Sequence, residues 1–301
     1  MHNALTDLIF FNNRWFLCFR ESDAHVYGKN GVIRIISSQD GDLWTSVSLI
    51  KEEGIDLRDP KLSINPEGRL MLLMGGTVYQ DKNRYITRRP RVAFSLDGSS
   101  WTTNIPILSE HEWLWRLTWN NDTAFGVSYR PVNPSNPRSK NIMSLFSTKN
   151  GIVYTKITEW NVPGISSETT IRFLKDGTMV ALMRRDRWPD DHAWIGKSIP
   201  PYTDWEWSEC NQHLGGPNFI VLPNDEMLAS GRLVVRCPYG FFEKTAILKM
   251  SFKHLKTCKY LPSGGIDCSY PGMVYRNGIV WLSYYSSHEG KTAVYLSKIR
   301  I

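Results

Sequence analysis

The sequence predicts an all-β protein, a six-bladed β-propeller that occupies residues 1–301 as one domain. Two observations indicate this fold. A pattern of two apolar segments joined by a turn of Asn, Asp, Glu or Gly occurs six times along the chain. Successive copies start roughly 50 residues apart, which is the period of a propeller blade of about four short strands. Each copy therefore predicts one blade.

The six copies predict the two inner strands of each blade. They read TDLIFFNNRWFLCFRE, RDPKLSINPEGRLMLLMGG, WRLTWNNDTAFGVSYR, ETTIRFLKDGTMVALMRRD, GPNFIVLPNDEMLASGR and SYPGMVYRNGIVWLSYYS. The inner strands are expected to start near Asp7, Asp59, Arg116, Glu168, Asn218 and Tyr270. Both ends of a hairpin emerge on the same side of its blade, because its strands are antiparallel. Hairpins repeated around one axis would gather their polar ends in a central funnel.

A second repeat predicts the outer turns. SSQDGDLW (37–44) and SLDGSSW (95–101) both fit Ser-x-Asp-Gly-x-x-Trp, and STKNGIVY (147–154) is a degraded third copy. Asp and Gly favour a tight turn between the third and fourth strands, while the aromatic residue fills the space between them. We interpret this repeat as structural. TAVYLSKIRI supplies a third strand for the last blade, and no obvious segment supplies a fourth.

Composition and charge narrow the function classes. With 42% hydrophobic and 22% charged residues the chain has an ordinary globular composition, and it shows no signal peptide or membrane-spanning run, so we expect a cytoplasmic protein without a membrane partner. The five cysteines form no CxxC pair, so no zinc site or disulfide framework is predicted. The net charge of +7 is scattered, which favours a glycan or small-molecule sugar ligand over nucleic acid. Oligomeric state is not predicted.

The outer turns and the number of hairpins resemble the sialidase superfamily, whose six-bladed propellers carry Asp-box repeats. In SETTIRFLKDGTMVALMR, Glu168, Asp176 and Arg184 reproduce the spacing of a sialidase fourth blade, and CSYPGMVY places Tyr270 where the family has its tyrosine. The resemblance implies an exo-acting glycosidase that cleaves a terminal sugar, acidic sugars included. Tyr270 would be the nucleophile, Glu168 its base and arginine the carboxylate ligand, with no metal or organic cofactor.

This chemistry suits an anionic sugar. Such a sugar repels a carboxylate nucleophile, whereas a neutral phenol that loses its proton to a nearby Glu can attack it. The planar guanidinium of arginine suits bidentate carboxylate binding. The sequence departs from the family at two arginine positions, because HNALTDLI contains none and Lys244 stands at the other.

Charged residues at the strand ends are candidate sugar ligands. The predicted substrate-binding residues are Arg20, Arg58, Asp59, Lys61, Arg116, Arg130, Arg184, Asn218 and Arg232. The sialidase general acid lies on the loop that here reads ESDAHVYGKNG, so Asp23 and His25 are both candidates for that role.

Two alternatives stay open. Arg58, Asp59 and Pro60 match an Arg-Asp-Pro motif that resembles five-bladed furanosidases, in which the Asp orients the transition state. Asp59 would then be catalytic, although six hairpins argue against five blades. The other alternative is a non-catalytic propeller that binds a glycan or a protein through the same funnel.

Overall fold

A computed structural model describes residues 1–81, 84–136, 139–186, 191–238, 240–265 and 267–301. Every regular element among them is a β-strand, and none of these residues belongs to a helix long and apolar enough to cross a membrane. The strands form six sheets, in which neighbours along the chain are hydrogen-bonded and antiparallel. The predicted six-bladed propeller is therefore confirmed.

Within the described residues, five blades have four strands and the sixth has three. Blade one has β1 (His2–Phe11), β2 (Arg14–Ser22), β3 (Val32–Ser38) and β4 (Thr45–Ile50); blade two has β5 (Asp56–Ile64), β6 (Leu70–Asp81), β7 (Arg84–Ser95) and β8 (Ile105–Pro106). Blade three has β9 (Trp113–Asn120), β10 (Thr123–Pro131), β11 (Asn141–Thr148) and β12 (Thr155–Trp160); blade four has β13 (Ile165–Phe173), β14 (Met179–Asp186), β15 (Trp194–Ser198) and β16 (Glu206–Glu209). Blade five has β17 (Gly215–Val221), β18 (Met227–Cys237), β19 (Gly240–Met250) and β20 (Leu255–Tyr260); blade six has β21 (Cys268–Arg276), β22 (Ile279–Ser286) and β23 (Ala293–Arg300).

The hydrophobic core lies between the blades. One buried cluster joins Phe16 and Ile35 of blade one to Leu62 and Leu72 of blade two, and similar clusters lie between the following pairs of blades. Both faces of each sheet are covered by neighbouring blades, which is consistent with the apolar residues on both faces of the inner strands. This packing fixes the blades around the funnel.

The ring closes between blades six and one. β23 is the predicted third strand of blade six, and a parallel bridge joins His2 to Thr292 beside it. The Trp15 and Trp281 rings pack across the same seam, with centroids 4.2 Å apart. Side-chain packing therefore supplies much of the closure that a fourth strand would otherwise provide.

The predicted outer turns lie between the third and fourth strands of blades one to three. In blade two the Asp97 carboxylate accepts hydrogen bonds from the backbone amides of Ser99 and Ser100, both at 2.8 Å. Gly98 has a φ of +77°, and an added Cβ there would lie 2.2 Å from the Phe16 ring of blade one. Blades one and three repeat this arrangement, so each turn also packs on the preceding blade.

All six inner strands contain a bulge. The register shifts between Ala4 and Asp7, Arg58 and Lys61, Leu114 and Leu117, Ser166 and Thr169, Gly215 and Asn218, and Ser269 and Gly272. The predicted strand starts therefore lie at these bulges, several residues inside the strands. A bulge turns a side chain out of the regular alternation. Here the bulges direct side chains into the funnel, and Asp59 and Tyr270 adopt positive φ values of 47° and 52° there.

Candidate active site

Tyr270 and Glu168 meet in the funnel from blades six and four. The Tyr270 hydroxyl donates a hydrogen bond of 2.7 Å to Glu168 Oε1. Arg184 Nη1 donates to Glu168 Oε2 at 2.8 Å and to the Tyr270 hydroxyl oxygen at 3.0 Å. The Gly216 amide donates to Glu168 Oε2 at 2.9 Å. The structure thus brings together the three residues that the sequence predicted as nucleophile, base and arginine.

The environment gives Tyr270 and Glu168 opposite protonation states. Burial raises the pKa of Glu168, but the charge of Arg184 and the hydrogen bonds from Arg184, Tyr270 and Gly216 outweigh it, so the pKa lies below its usual value. Burial and the charge of Glu168 hold the pKa of Tyr270 well above its usual value. A neutral phenol therefore donates to an ionised carboxylate, which is the arrangement that general-base activation requires.

Asp59 lies at the bulge of β5 and faces the same cavity. Its side chain is buried, and its Oδ1 has no hydrogen-bond partner among the described residues. Burial raises the pKa of Asp59, the charges of Lys61 and Arg58 oppose the rise, and the charge of Glu168 adds to it. Asp59 therefore keeps its proton to a higher pH than an ordinary aspartate. Lys61 is also buried, with Nζ 4.6 Å from the centre of the Trp115 ring.

Two adjoining cavities open onto these groups. The first, of about 210 Å³, is lined by Arg58, Asp59, Tyr79, Trp113, Glu168 and Tyr270 among others. The second, of about 370 Å³, includes Arg184 and Asp186. Tyr85, Arg88, Tyr129 and Glu168 line both. These four shared residues place the two cavities side by side.

Arg88 in the cavity wall was missed by the sequence analysis. Its Nε donates to the His111 carbonyl at 3.1 Å and its Nη2 to the Tyr129 carbonyl at 3.3 Å. Its guanidinium lies 5.5 Å from the centre of the Trp113 ring. Within the described residues, no carboxylate lies at ion-pair distance from Arg88. The available signal was RRPR in the third strand of blade two, away from the inner-strand ends at which the ligands were predicted.

Three of the predicted substrate ligands form buried ion pairs or hydrogen bonds with other residues of the protein. Arg20 pairs with Asp56 at 2.7 Å and Arg116 with Asp7 at 2.9 Å. The Asn218 amide donates to a backbone carbonyl of blade six at 2.9 Å. None of the three lines the two cavities. The prediction that they bind substrate therefore has no support from this geometry, because each side chain is held by another residue of the protein.

The two predicted acids on the loop between β2 and β3 differ in position. Asp23 accepts a hydrogen bond of 2.7 Å from the Lys29 amide, which holds the pKa of its exposed carboxyl below the usual value. It therefore acts as a loop-forming residue and is a poor proton donor. His25 Nδ1 lies 2.6 Å from Asp267 Oδ2, and the His25 carbonyl accepts a hydrogen bond from Arg58. Neither side chain lines the two cavities.

The remaining predicted arginines lie around this centre. Arg130 is 40% exposed, with Nε 3.4 Å from Glu112 Oε1. Arg232 lies between Asp267 and Glu243, at 3.4 and 3.5 Å, and its guanidinium is 5.8 Å from the centre of the Tyr270 ring. Of the predicted ligands, Arg58, Asp59 and Arg184 line the cavities. A separate cluster of His2, His25 and Asp267 has ligand atoms suitable for a metal ion.

Solved structures share this architecture at low sequence identity. A Dyadobacter fermentans protein of unknown function has a TM-score of 0.82 at 19% identity, over 100% of this chain and 95% of that one. An α-L-arabinanase from Penicillium chrysogenum, complexed with arabinobiose, has a TM-score of 0.72 at 13% identity, over 99% and 93%. Trypanosoma rangeli sialidase has a TM-score of 0.73 at 10% identity, over 98% of this chain and 54% of that chain.

The likeness identifies the fold. This chain has the six-bladed propeller of the sialidases and arabinofuranosidases, and it spans about half the length of the sialidase. No protein-family model and no curated protein matches the chain in sequence. The predicted resemblance to sialidase-like propellers is confirmed at the level of the fold.

Proposed function

We propose that this protein is a retaining exo-glycosidase with Tyr270 as the nucleophile, Glu168 as its base and Asp59 as the proton donor. The observation that carries the proposal is the buried 2.7 Å hydrogen bond from Tyr270 to Glu168, at the wall of a cavity of sugar size. The proteins of similar fold include a sialidase and an arabinofuranosidase, which supports the reaction class.

The first step forms a covalent intermediate. Tyr270 Oη bonds to the anomeric carbon of the terminal sugar as its proton passes to Glu168 Oε1. The bond between the anomeric carbon and the leaving oxygen breaks, and Asp59 gives its proton to that oxygen. Arg184 keeps Glu168 ionised beforehand and holds the Tyr270 oxygen in place.

The second step releases the sugar. Water attacks the anomeric carbon and loses a proton to the Asp59 carboxylate, while the bond to Tyr270 breaks. Tyr270 takes its proton back from Glu168, so the site returns to its starting state. Two displacements at one carbon retain its configuration. We assign the proton donor to Asp59 instead of Asp23 or His25, because Asp59 lines the cavity and its pKa is raised by burial.

The charge balance bears on whether the sugar is acidic. Arg184 is paired with Glu168 and Asp186, and Arg58 lies beside Asp59. Arg88 is the arginine of the cavity wall with backbone carbonyls as its hydrogen-bond partners. Among the described residues that line the cavities, Arg88 is therefore the arginine without a carboxylate at ion-pair distance, whereas Arg58 lies 3.8 Å from Asp56. A neutral furanoside fits this balance as well as a sialoside does.

The test is trapping by activated fluorosugars of the sialosyl, uronosyl and arabinofuranosyl series. A substrate series that is turned over should add one glycosyl group to Tyr270, detected by peptide mass spectrometry, because fluorine slows the second step. Tyr270→Phe should remove the adduct. Tyr295→Phe is a matched control, because its hydroxyl donates to Glu289 on the exterior of blade six and lies outside the two cavities.

Two results would overturn the proposal. An adduct on another residue would disprove the assignment of Tyr270. Absence of turnover across a matching panel of aryl glycosides, together with sugar binding by calorimetry, would favour the non-catalytic glycan-binding propeller.

A further inference from the structure

Three residues far apart in sequence meet at the seam where the ring closes. His2 begins β1, His25 lies between β2 and β3, and Asp267 precedes β21. His2 Nε2 lies 3.1 Å and His25 Nδ1 lies 2.6 Å from the same oxygen, Asp267 Oδ2. These three atoms all lie within 4.8 Å of one another. Two imidazoles thus converge on one carboxylate oxygen.

A second layer of hydrogen bonds orients the carboxylate. The Tyr285 hydroxyl donates to Asp267 Oδ1 at 2.6 Å, and Arg232 Nη1 lies 3.4 Å from that oxygen. The partners on Oδ1 leave Oδ2 directed at the two imidazoles. Outer hydrogen bonds that fix the orientation of a ligand are a regular feature of protein metal sites. The side chains of His2 and Asp267 are 11% exposed and that of His25 is 34% exposed, so the cluster is largely buried with one open side.

We propose that His2 Nε2, His25 Nδ1 and Asp267 Oδ2 bind one divalent transition-metal ion. The imidazole and carboxylate donors suit Zn²⁺ and neighbouring first-row ions, whereas Ca²⁺ and Mg²⁺ prefer sites built from oxygen atoms. Three protein ligands leave a coordination position for water.

Such an ion would stabilise both the junction of blades six and one and the wall of the first cavity. It would link blade one to the segment before β21, 265 residues away, where blade six has three strands. It would also anchor the loop of His25, whose residues Val26 and Tyr27 line the first cavity. Because an ion that binds the folded chain alone stabilises it, metal should raise the melting temperature of the full-length protein.

The experiment uses full-length protein with a cleavable tag removed, treated with chelator and titrated with ZnCl₂ in calorimetry. We expect one Zn²⁺ per chain and a melting temperature that rises with Zn²⁺ but not with equal Mg²⁺. His25→Ala should weaken binding at least tenfold. Tyr285→Phe, which keeps all three ligands, should weaken it by about 10- to 100-fold. His254→Ala is the control, because His254 is an exposed residue of blade five and should leave binding unchanged.

Binding is measured without substrate, so this test is independent of glycosidase activity. Circular dichroism of each variant establishes that it is folded before titration. The absence of stoichiometric Zn²⁺ binding to the folded wild type would overturn the proposal. Equal losses in His25→Ala and His254→Ala would overturn it as well, since binding would then lie elsewhere.

Discussion

The outer turns of this propeller repeat closely similar side chains from blade to blade, whereas the inner bulges repeat only a backbone geometry. The outer turns repeat one chemistry: Asp40, Asp97 and Asn150 each accept two backbone amide hydrogen bonds across a positive-φ glycine. The inner strands repeat one backbone irregularity with a different residue each time. The first residues of the six bulges are Leu5, Asp59, Trp115, Ser167, Gly216 and Tyr270.

This contrast indicates that the outer turns have a structural role and the inner bulges a functional one. A turn that repeats its side chains carries out the same packing task in each blade. A bulge that repeats only its geometry presents a different residue to one space in each blade, which is how a symmetric ring can build an asymmetric site. Substitutions at inner bulges should therefore affect chemistry, and those at outer turns should affect stability.

The largest effect is expected for Asp59→Asn. Loss of the proposed proton donor should lower turnover about 10²- to 10⁴-fold, and less for substrates with a leaving group that needs no proton. Because the pKa of Asp59 is raised, the wild type should lose activity as pH rises through that pKa, and the variant should lack this alkaline limb. Rates across a pH series with good and poor leaving groups measure both effects.

The same substitution has a predicted sign for stability. A carboxyl whose pKa is raised by folding binds protons more tightly in the folded state, so its contribution to stability falls as pH rises above the unfolded value. Asp59→Asn should therefore raise the melting temperature at neutral pH while it lowers activity. A lower melting temperature would mean that Asp59 makes a contact that stabilises the folded protein, contrary to this prediction.

Asp7→Asn tests the buried layer beside the bulges. Asp7 accepts from Arg116 at 2.9 Å and from the Leu62 amide at 2.7 Å, with both charged side chains buried. Removing one charge leaves the Arg116 guanidinium unpaired, which costs about 3–5 kcal/mol of unfolding free energy. Urea denaturation measures it. Glu159→Gln, which breaks the exposed pair with Lys156, should change stability little.

Turnover per folded molecule distinguishes Asp7 from Asp59. Asp7 does not line either cavity, so the folded fraction of Asp7→Asn should retain its activity. A large loss of activity in folded Asp7→Asn would show that the buried layer also takes part in the reaction.

Gly98→Ala tests the outer turns against a matched glycine. Both Gly98 and Gly177 have positive φ, +77° and +87°, which costs an alanine about 1–2 kcal/mol. A Cβ at Gly98 would also lie 2.2 Å from the buried Phe16 ring, whereas a Cβ at Gly177 meets open space. Gly98→Ala should therefore lose roughly 1–3 kcal/mol more than Gly177→Ala in denaturant unfolding. Equal losses of unfolding free energy would show that contact between this turn and the preceding blade does not stabilise the protein.

The sequence predicted the fold well because its signals are local. Each hairpin and each outer turn is encoded within about twenty residues, and their repetition determines the blade number. The Tyr270–Glu168 pair, 102 residues apart, was predicted through a family resemblance and not from local pattern. Arg88 was missed because it lies outside every recognised repeat.

The sequence could not predict which charged residues pair with one another across the fold. Arg20, Arg58 and Arg116 all lie at strand ends, and the sequence gives no reason to distinguish them. The structure separates them, because Asp56 and Asp7 form close ion pairs with the first and third, while Arg58 lies 3.8 Å from Asp56 and lines the cavity. The cluster of His2 with Asp267 spans 265 residues, so no spacing rule could have detected it. Which charges meet depends on how the ring closes.

The smallest effect is expected for Asp40→Asn in the first outer turn. The amides of Asp42 and Leu43 lower the pKa of Asp40 to about 2, and Asn keeps an oxygen that accepts the same bonds while removing the charge. A carboxyl whose pKa is depressed on folding contributes stability above its unfolded pKa, and that contribution is lost as pH falls through the folded pKa. The urea midpoint of Asp40→Asn should therefore be slightly below that of the wild type at pH 7, with the difference shrinking towards pH 3. Asp97→Asn offers an independent copy of the test, since backbone amides also depress the pKa of Asp97. A difference that stays constant with pH in both variants would show that the turns depend on hydrogen-bond geometry alone.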